Sequence, residues 1–177
     1  DLDPLTRRMG AARIKWMVRQ PCPHRTSNAI SLGESKDGDH STLLTPNHPI
    51  LDFSATPTPR YRHAKEMGDT NEYTCDYLYN MVLDCHHHVV SDGVVCLTMG
   101  HGLTKQRLGQ LGLMGHDVAV HDYFGNWQQV VADLEHIGVG NFPRNGPGLP
   151  PTGGPYVTID PARIQRDPNT GWVVRLC

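Results

Sequence analysis

Residues 77–98 read YLYNMVLDCHHHVVSDGVVCLT, a run rich in β-branched and aromatic residues with an Asp-Gly pair at 92–93. Apolar runs at 88–90 and 94–98 flank that pair. Asp and Gly both tolerate the positive φ that tight hairpin turns require. The sequence therefore predicts a strand over 77–83, followed by a hairpin whose strands cover 88–90 and 94–98.

Further short strands are predicted on both sides of this hairpin from apolar-polar alternation. They cover 13–19, 41–45, 156–159 and 172–176. Helical periodicity is convincing over 127–137, with Asn126 as the predicted N-cap, and a shorter helix is expected over 104–111. Trp127 and Trp172 are expected in the core. The expected fold class is mainly β with one or two short helices.

Polar and turn-forming residues predict the connections between these elements. Residues 1–12 are expected to form a flexible arm, and 24–40 a polar connection. Two segments rich in Pro, Gly or charge, 54–73 and 139–155, are expected to be long loops. We expect the whole chain, 1–177, to form a single domain.

Composition excludes several classes of protein. The chain has 16 Lys and Arg against 18 Asp and Glu, a net charge of −2, which gives no electrostatic reason to expect nucleic acid or an anionic membrane as partner. Gly (18) and Pro (14) together are too frequent for a helical bundle. No apolar run reaches the roughly 18 residues of a membrane span. Five scattered cysteines favour reduced thiols and an intracellular, weakly cytoplasmic, location.

Two stretches together resemble a known superfamily. Thr45-Pro46-Asn47-His48 is a Thr-x-x-His motif, and residues 79–94 resemble the late motif of the Hint (hedgehog/intein) superfamily. Residues 98–102, 121–125 and 166–171 resemble one branch of it, the Vint domain that accompanies von Willebrand A domains. The resemblance implies a Hint-like, pseudo-duplicated twisted β sheet of horseshoe or barrel-like shape.

The resemblance also implies a self-processing chemistry. In Hint domains an N-terminal Cys or Ser attacks the preceding carbonyl, and the motif Thr and His stabilise the oxyanion and protonate the amide nitrogen. Those roles correspond here to Thr45 and His48. The late-motif histidine, which assists breakdown of the intermediate, corresponds to His87.

The departures from the family pattern limit what this chain does alone. Asp1 cannot act as a nucleophile, and Cys22 lies internally between two prolines. The His-Asn pair that ends splicing inteins corresponds to Leu97-Thr98, so Asn cyclisation is excluded. We therefore expect a fragment of a longer precursor or a scaffold turned to another use. Its expected partner is its own precursor segment upstream of Asp1. We expect the chain to be a monomer and to need no cofactor, metal or membrane.

Three other interpretations stay open on the sequence alone. The first is a toxin directed at ribosomal RNA, either a ribonuclease or an rRNA N-glycosylase, using the surplus of His, Tyr and Arg. The second is a binding module without catalysis that uses the two long loops. The third is a zinc site built from Cys85, His86, His88 and Cys96, whose spacing matches no closed structural site. His101, between two glycines, is interpreted as a loop histidine.

Overall fold

The structure is a computed structural model, and it describes residues 12–33, 41–54, 58–85, 87–110, 112, 116–138 and 156–177. The strands are β1 (Ile14–Pro21), β2 (Thr26–Leu32), β3 (Thr42–Leu44), β4 (Pro49–Asp52), β5 (Arg60–His63), β6 (Thr70–Thr74), β7 (Tyr77–Leu83), β8 (His88–Ser91), β9 (Val94–Leu97), β10 (Tyr156–Thr158), β11 (Ile164–Arg166) and β12 (Val173–Leu176). The helices are α1 (Lys105–Gln110), α2 (His116–Ala119) and α3 (Trp127–Gly138). Short 3₁₀ turns cover Pro23–Arg25, Ala64–Glu66 and Pro161–Arg163.

The strands form three sheets and one separate two-stranded ladder. The first sheet has the order β10-β1-β7, the second β3-β2-β6, and the third β5-β4-β9-β8. The ladder pairs β11 with β12. Every strand pair is antiparallel except β1 with β10, which is parallel. This mainly β architecture confirms the expected fold class.

The central hairpin forms where the sequence predicts it. β8 and β9 pair antiparallel from Ser91 opposite Val94 to His88 opposite Leu97. Asp92 has φ 48° and Gly93 has φ 79°, so both turn residues occupy the left-handed region. The Asp-Gly pair therefore fixes the register of the hairpin, and through it the position of His87, which precedes β8.

Helix α3 closes the largest core. The side chain of Asn126 accepts a 3.1 Å hydrogen bond from the Gln129 amide, which confirms it as N-cap. The apolar stripe of the helix packs on strands β1, β7, β10 and β12. The buried helix residues in this cluster are Val130, Val131, Leu134 and Ile137. No helix among the described residues has the length and apolar character that crossing a membrane requires.

The third sheet has a separate cluster on each face. One face packs on helices α1 and α2 in a cluster of Leu51, Tyr61, Val95, Leu97, Leu103, Leu108 and Ala119. The other packs on the second sheet in a cluster of Ile30, Leu44, Ile50, Ala64 and Cys96. Because both faces are covered, β4 and β9 read as nearly continuous apolar runs rather than alternating ones.

Two expected connections are wrong. Segment 54–73 is not one exposed loop, because it contains β5 and most of β6, and Tyr61 is only 1% exposed. Segment 24–40 contains β2, with Ala29 and Ile30 buried. In both cases polar outward-facing residues and nearby prolines hide short strands whose few apolar side chains point inward. The expected loop 139–155 and the first eleven residues of the expected arm lie outside the described part.

Leu134 offers a test of the helix-to-sheet core. Its side chain is fully buried, so we expect Leu134→Ala to lower the free energy of unfolding by about 2–5 kcal/mol through lost transfer energy and a cavity. Urea unfolding followed by circular dichroism measures this. The neighbouring exposed Glu135→Ala is the control and should change stability by less than about 0.5 kcal/mol. Equal effects of the two substitutions would contradict the packing described.

Candidate functional site

Thr45 and His48 occupy one tight turn at the start of the third sheet. The His48 amide donates to the Thr45 carbonyl at 2.9 Å, which closes a four-residue turn through Pro46 and Asn47. The His48 carbonyl then accepts from the Ala64 amide at 3.0 Å, and the Pro46 carbonyl accepts from that of Lys65 at 3.0 Å. The turn is therefore held against the segment that follows β5, and its Thr and His cannot separate.

The sheet register places His48 and His87 in one cross-strand row. Ile50, two residues after His48, pairs with Cys96, two residues before Thr98, and the His48 ring bonds to the backbone of Leu97. On the other side of Thr98 lies His87, whose carbonyl accepts from the Thr98 amide at 2.9 Å and from its hydroxyl at 3.0 Å. Two strand spacings separate the two histidine backbones, roughly 10 Å. The three residues named from the sequence thus lie at one end of one sheet.

His48 is partly buried, and its Nε2 atom is buried without a hydrogen-bond partner. Its Nε2 is inaccessible to solvent and makes no hydrogen bond in the structure. The ring also bonds to the backbone of Leu97, an interaction that favours its protonated form. Burial outweighs that bond and lowers the pKa of His48 to about 4, so the ring is neutral at physiological pH. A buried, unsatisfied imidazole nitrogen costs free energy and marks a group available to a reactant.

His87 owes its position to an unusual backbone conformation. Its φ is 64°, in the left-handed region that residues with a side chain rarely adopt, and its amide donates to the Cys85 carbonyl at 2.6 Å. The two hydrogen bonds from Thr98 hold its carbonyl in place. Such local strain concentrates at functional sites because the surrounding structure must over-determine it.

The neighbouring His88 has a different environment. It is fully buried, its Nε2 lies 2.7 Å from the Tyr61 hydroxyl oxygen, and the two rings stack with their centroids 6.0 Å apart. Sequence reasoning missed Tyr61 because it fell within the segment expected to be a loop. The Arg-Tyr-Arg-His alternation at 60–63 was the signal that could have found it. One ring nitrogen of His88 is thus paired with Tyr61, and His86, the other histidine of the zinc hypothesis, lies outside the described residues.

Removing the Tyr61 hydroxyl should reveal the strength of this pair. We expect Tyr61→Phe to lower the free energy of unfolding by about 1–3 kcal/mol, because it leaves the buried Nε2 of His88 without that partner. Chemical denaturation measures it. Tyr73→Phe, at a partly exposed position of β6, is the control and should be nearly neutral. No difference between the two variants would argue against the bond.

His101 lies outside regular secondary structure, as expected of a loop histidine, and its side chain is buried. It is 3% exposed, its Nδ1 accepts from the Leu103 amide at 3.1 Å, and its own amide donates to the Phe124 carbonyl at 3.1 Å. Burial, with smaller effects from the nearby charges of His87, His88 and His121, lowers the pKa of His101 to about 3. The Gly-His-Gly segment therefore places an imidazole that is neutral at physiological pH close to the row that contains His87.

Three of the described thiols, those of Cys22, Cys85 and Cys96, differ in their position relative to the row and have raised pKa values. Cys22 pairs with Asp76 at the far end of the β1–β7 pair, eight residues or about 26 Å along the strand from Asp84. Cys96 is buried between the second and third sheets, and burial raises the pKa of its thiol to about 12. Cys85 hydrogen-bonds the Asp84 side chain, which raises its pKa. None of these three thiols combines an ionised sulfur with a position in the row.

The beginning of the described chain lies close to the row. The Arg13 amide donates to an Asp84 carboxylate oxygen at 2.9 Å, and the Asp84 amide donates to the Arg13 carbonyl at 3.1 Å. Asp84 is three residues before His87, a span of at most about 11 Å. A polypeptide leading into β1 therefore arrives at the same end of the molecule as His48 and His87.

Two described clefts lie elsewhere. One of about 550 Å³ is lined by residues 103–104, 120–122 and 125–128, and another of about 400 Å³ by Arg175 and residues around Asn126. Trp172, near these clefts, is 48% exposed and stacks on His121 with centroids 4.9 Å apart. This corrects its expected place in the core: the turn 167–171 delivers it to the surface, where the imidazole covers one face of the ring.

Comparison with known proteins and with family models shows to which family the chain belongs. No curated protein matches the chain. The family model described as Vint, a Hint-domain family, matches residues 4–145, which is well over half of the 177 residues. The matched range includes Thr45, His48, His87 and the Gly-His-Gly segment. The chain therefore belongs to the Vint family of Hint domains.

Proposed function

We propose that this chain is the Hint-type domain of a self-processing precursor and that residues 1–177 act as one domain. The nucleophile comes from the precursor rather than from this chain. Thr45, His48 and His87 are the catalytic residues, and the partner is the precursor segment upstream of Asp1, acting within one polypeptide and without a cofactor. The observation that carries the proposal is the buried Nε2 atom of His48, which has no hydrogen-bond partner.

The environment of His48 favours the acid stage of an acyl shift over the base stage, because a lowered pKa makes the neutral ring a weaker base and the protonated ring a stronger acid. The neutral ring keeps a lone pair on one nitrogen, which takes the proton from an attacking thiol or hydroxyl. The imidazolium that results has a pKa of about 4, so it is a strong acid and returns the proton readily to the departing amide nitrogen. An exposed histidine of ordinary pKa would be a weaker acid at this second stage.

The proposed reaction balances as follows. A carbon–sulfur or carbon–oxygen bond forms between the Cys or Ser side chain and the preceding carbonyl carbon, and the carbon–nitrogen bond breaks. The proton lost by the nucleophile passes through His48 to the freed amine. Thr45 donates a hydrogen bond to the oxyanion, and His87 assists collapse of the intermediate. Water then hydrolyses the thioester or ester and releases the upstream segment as a carboxylate.

The path of the chain supports this assignment. The hydrogen bonds between Arg13 and Asp84 bring the start of β1 to within about 11 Å of His87 along the chain. A scissile bond upstream of β1 can therefore reach the His48–His87 row without unfolding the first sheet. Cleavage within one polypeptide gains the high effective concentration that proximity provides.

The test is to express the domain together with its gene-encoded upstream residues. We expect the precursor to cut itself in purified form, at a rate independent of protein concentration, and hydroxylamine or dithiothreitol to accelerate cutting by attacking the ester or thioester. Gel electrophoresis and intact mass identify the site. A precursor with an upstream Cys or Ser that stays whole under these conditions refutes the proposal.

Incubation with ribosomes distinguishes an RNA-directed toxin from a self-processing domain. If the domain were a toxin directed at ribosomal RNA, incubation with ribosomes would release an rRNA fragment directly or after aniline treatment. We expect neither fragment. The binding-module alternative predicts an inert precursor with one saturable ligand, so precursor cutting also argues against it.

A further inference from the structure

Two cysteines meet where the chain passes from the first sheet to the second. Cys22 follows β1, Cys75 precedes β7, and their Sγ atoms lie 2.8 Å apart although the residues are 53 positions apart in sequence. Both are free thiols in the structure; Cys22 is buried and Cys75 is partly exposed. We propose that Cys22 and Cys75 form a reversible disulfide by thiol–disulfide exchange with a small-molecule disulfide such as oxidised glutathione.

The backbone holds the two thiols together from both sides. The Cys22 amide donates to the Asp76 carbonyl at 2.9 Å, and the Cys75 amide donates to the Arg25 carbonyl at 2.9 Å. The side chains of Arg25 and Asp76 add an exposed ion pair at 2.7 Å. Adjacent antiparallel segments keep Cα atoms within the range that a disulfide spans, so the bond forms without moving the strands.

The Cys22–Cys75 pair lies where the chain passes between the first and second sheets, so a disulfide there would link two connections of the fold. The chain crosses from the first sheet to the second twice at this point, once from β1 to β2 and once from β6 to β7. The pair joins these two crossings. The disulfide would therefore link the end of β1 to the start of β7 where the two sheets meet. β1 itself begins near the His48–His87 row.

The exchange proceeds in two balanced steps. Cys75, the more accessible thiol, attacks one sulfur of oxidised glutathione; the glutathione disulfide breaks, and one glutathione leaves with the Cys75 proton. Cys22 then attacks the Cys75 sulfur of the mixed disulfide, and the second glutathione leaves with the Cys22 proton. Burial, reinforced by Cys75 and Asp76, raises the pKa of Cys22 to about 11, which leaves the first attack to the more accessible Cys75.

Peptide mapping tests the bond directly. The protein is incubated over a range of reduced to oxidised glutathione ratios, and remaining thiols are blocked with iodoacetamide. Trypsin leaves Cys22 in fragment 20–25, and an Asp-specific protease leaves Cys75 in fragment 69–75, apart from Cys85 and Cys96. We expect these two fragments to appear linked, and the five thiols of the chain to fall to three.

Variants and thermal unfolding give the controls. Cys22→Ser should keep Cys75 as its mixed disulfide with glutathione, Cys75→Ser should form no intramolecular link, and Cys177→Ser, at an exposed position, should still form the link. Because the bond closes a long loop in the unfolded chain, reduction of wild type should lower the Tm by about 10 °C. Five thiols remaining in oxidised glutathione alone, or linkage of Cys22 or Cys75 to another cysteine, would overturn the proposal. Mapping of wild type needs no variant to fold.

Discussion

Replacing His48 by Ala is expected to slow cutting of the precursor by about 10²–10⁴-fold, the usual contribution of a positioned general acid–base group. The substitution removes the buried Nε2 that has no partner and the bond from the ring to the Leu97 backbone. The rate is measured from the decay of intact precursor on gels. His136→Ala, an exposed histidine on α3, is the matched control and should cut at the wild-type rate.

Chemical rescue separates a catalytic role of His48 from a structural one. The Ala variant leaves a cavity shaped for an imidazole ring, so added imidazole should restore part of the rate if the ring transfers protons. A merely structural histidine would show lost thermal stability without rescue. Unchanged cutting in the Ala variant would remove His48 from the mechanism.

The sequence predicted the parts of the fold in which local signals agree with tertiary packing. The Asp92-Gly93 turn and the α3 stripe after Asn126 both formed as expected, because turn chemistry, capping and apolar periodicity specify the same structure there. β4 and β5 escaped detection since each has four residues and borders a proline. Their stability comes from pairing with each other and with β9, which local patterns do not record.

Some residues of the candidate site could be predicted from the sequence, and others only from the structure. Thr45, His48 and His87 were predicted as site residues because the Thr-x-x-His spacing and the late motif resemble the pattern of the Hint superfamily. The row that joins them depends on the pairing of β9 with β8, which is local, and of β9 with β4, whose paired residues lie 44 and 46 positions apart in sequence. The burial of Tyr61 and His101 needed the structure, because only tertiary packing distinguishes a buried polar group from an exposed one.

Acidification should destabilise the protein well above the pH at which carboxylates protonate. The pKa of His48 is lowered to about 4 and that of His101 to about 3, in each case mainly by burial, against about 6.5 in an unfolded chain. Between pH 6.5 and 4 the unfolded chain therefore binds protons that the folded protein does not. Stability is complete above pH 6.5 and is lost as the pH falls through this window. The lowered pKa values of His63 and His121 act in the same direction.

Two buried histidines set the size of this acid effect. Each should contribute up to about 1.4 kcal/mol per pH unit, so the free energy of unfolding should fall by about 3–4 kcal/mol between pH 7 and pH 5. Urea titrations at several pH values measure the slope. His48→Gln and His101→Gln should each remove about half of it whatever their effect at pH 7, since neither amide titrates. A slope that survives both substitutions would assign it to other groups, such as His63 and His121, and stability that rises on acidification would show that the pKa values of His48 and His101 are not lowered in the folded protein.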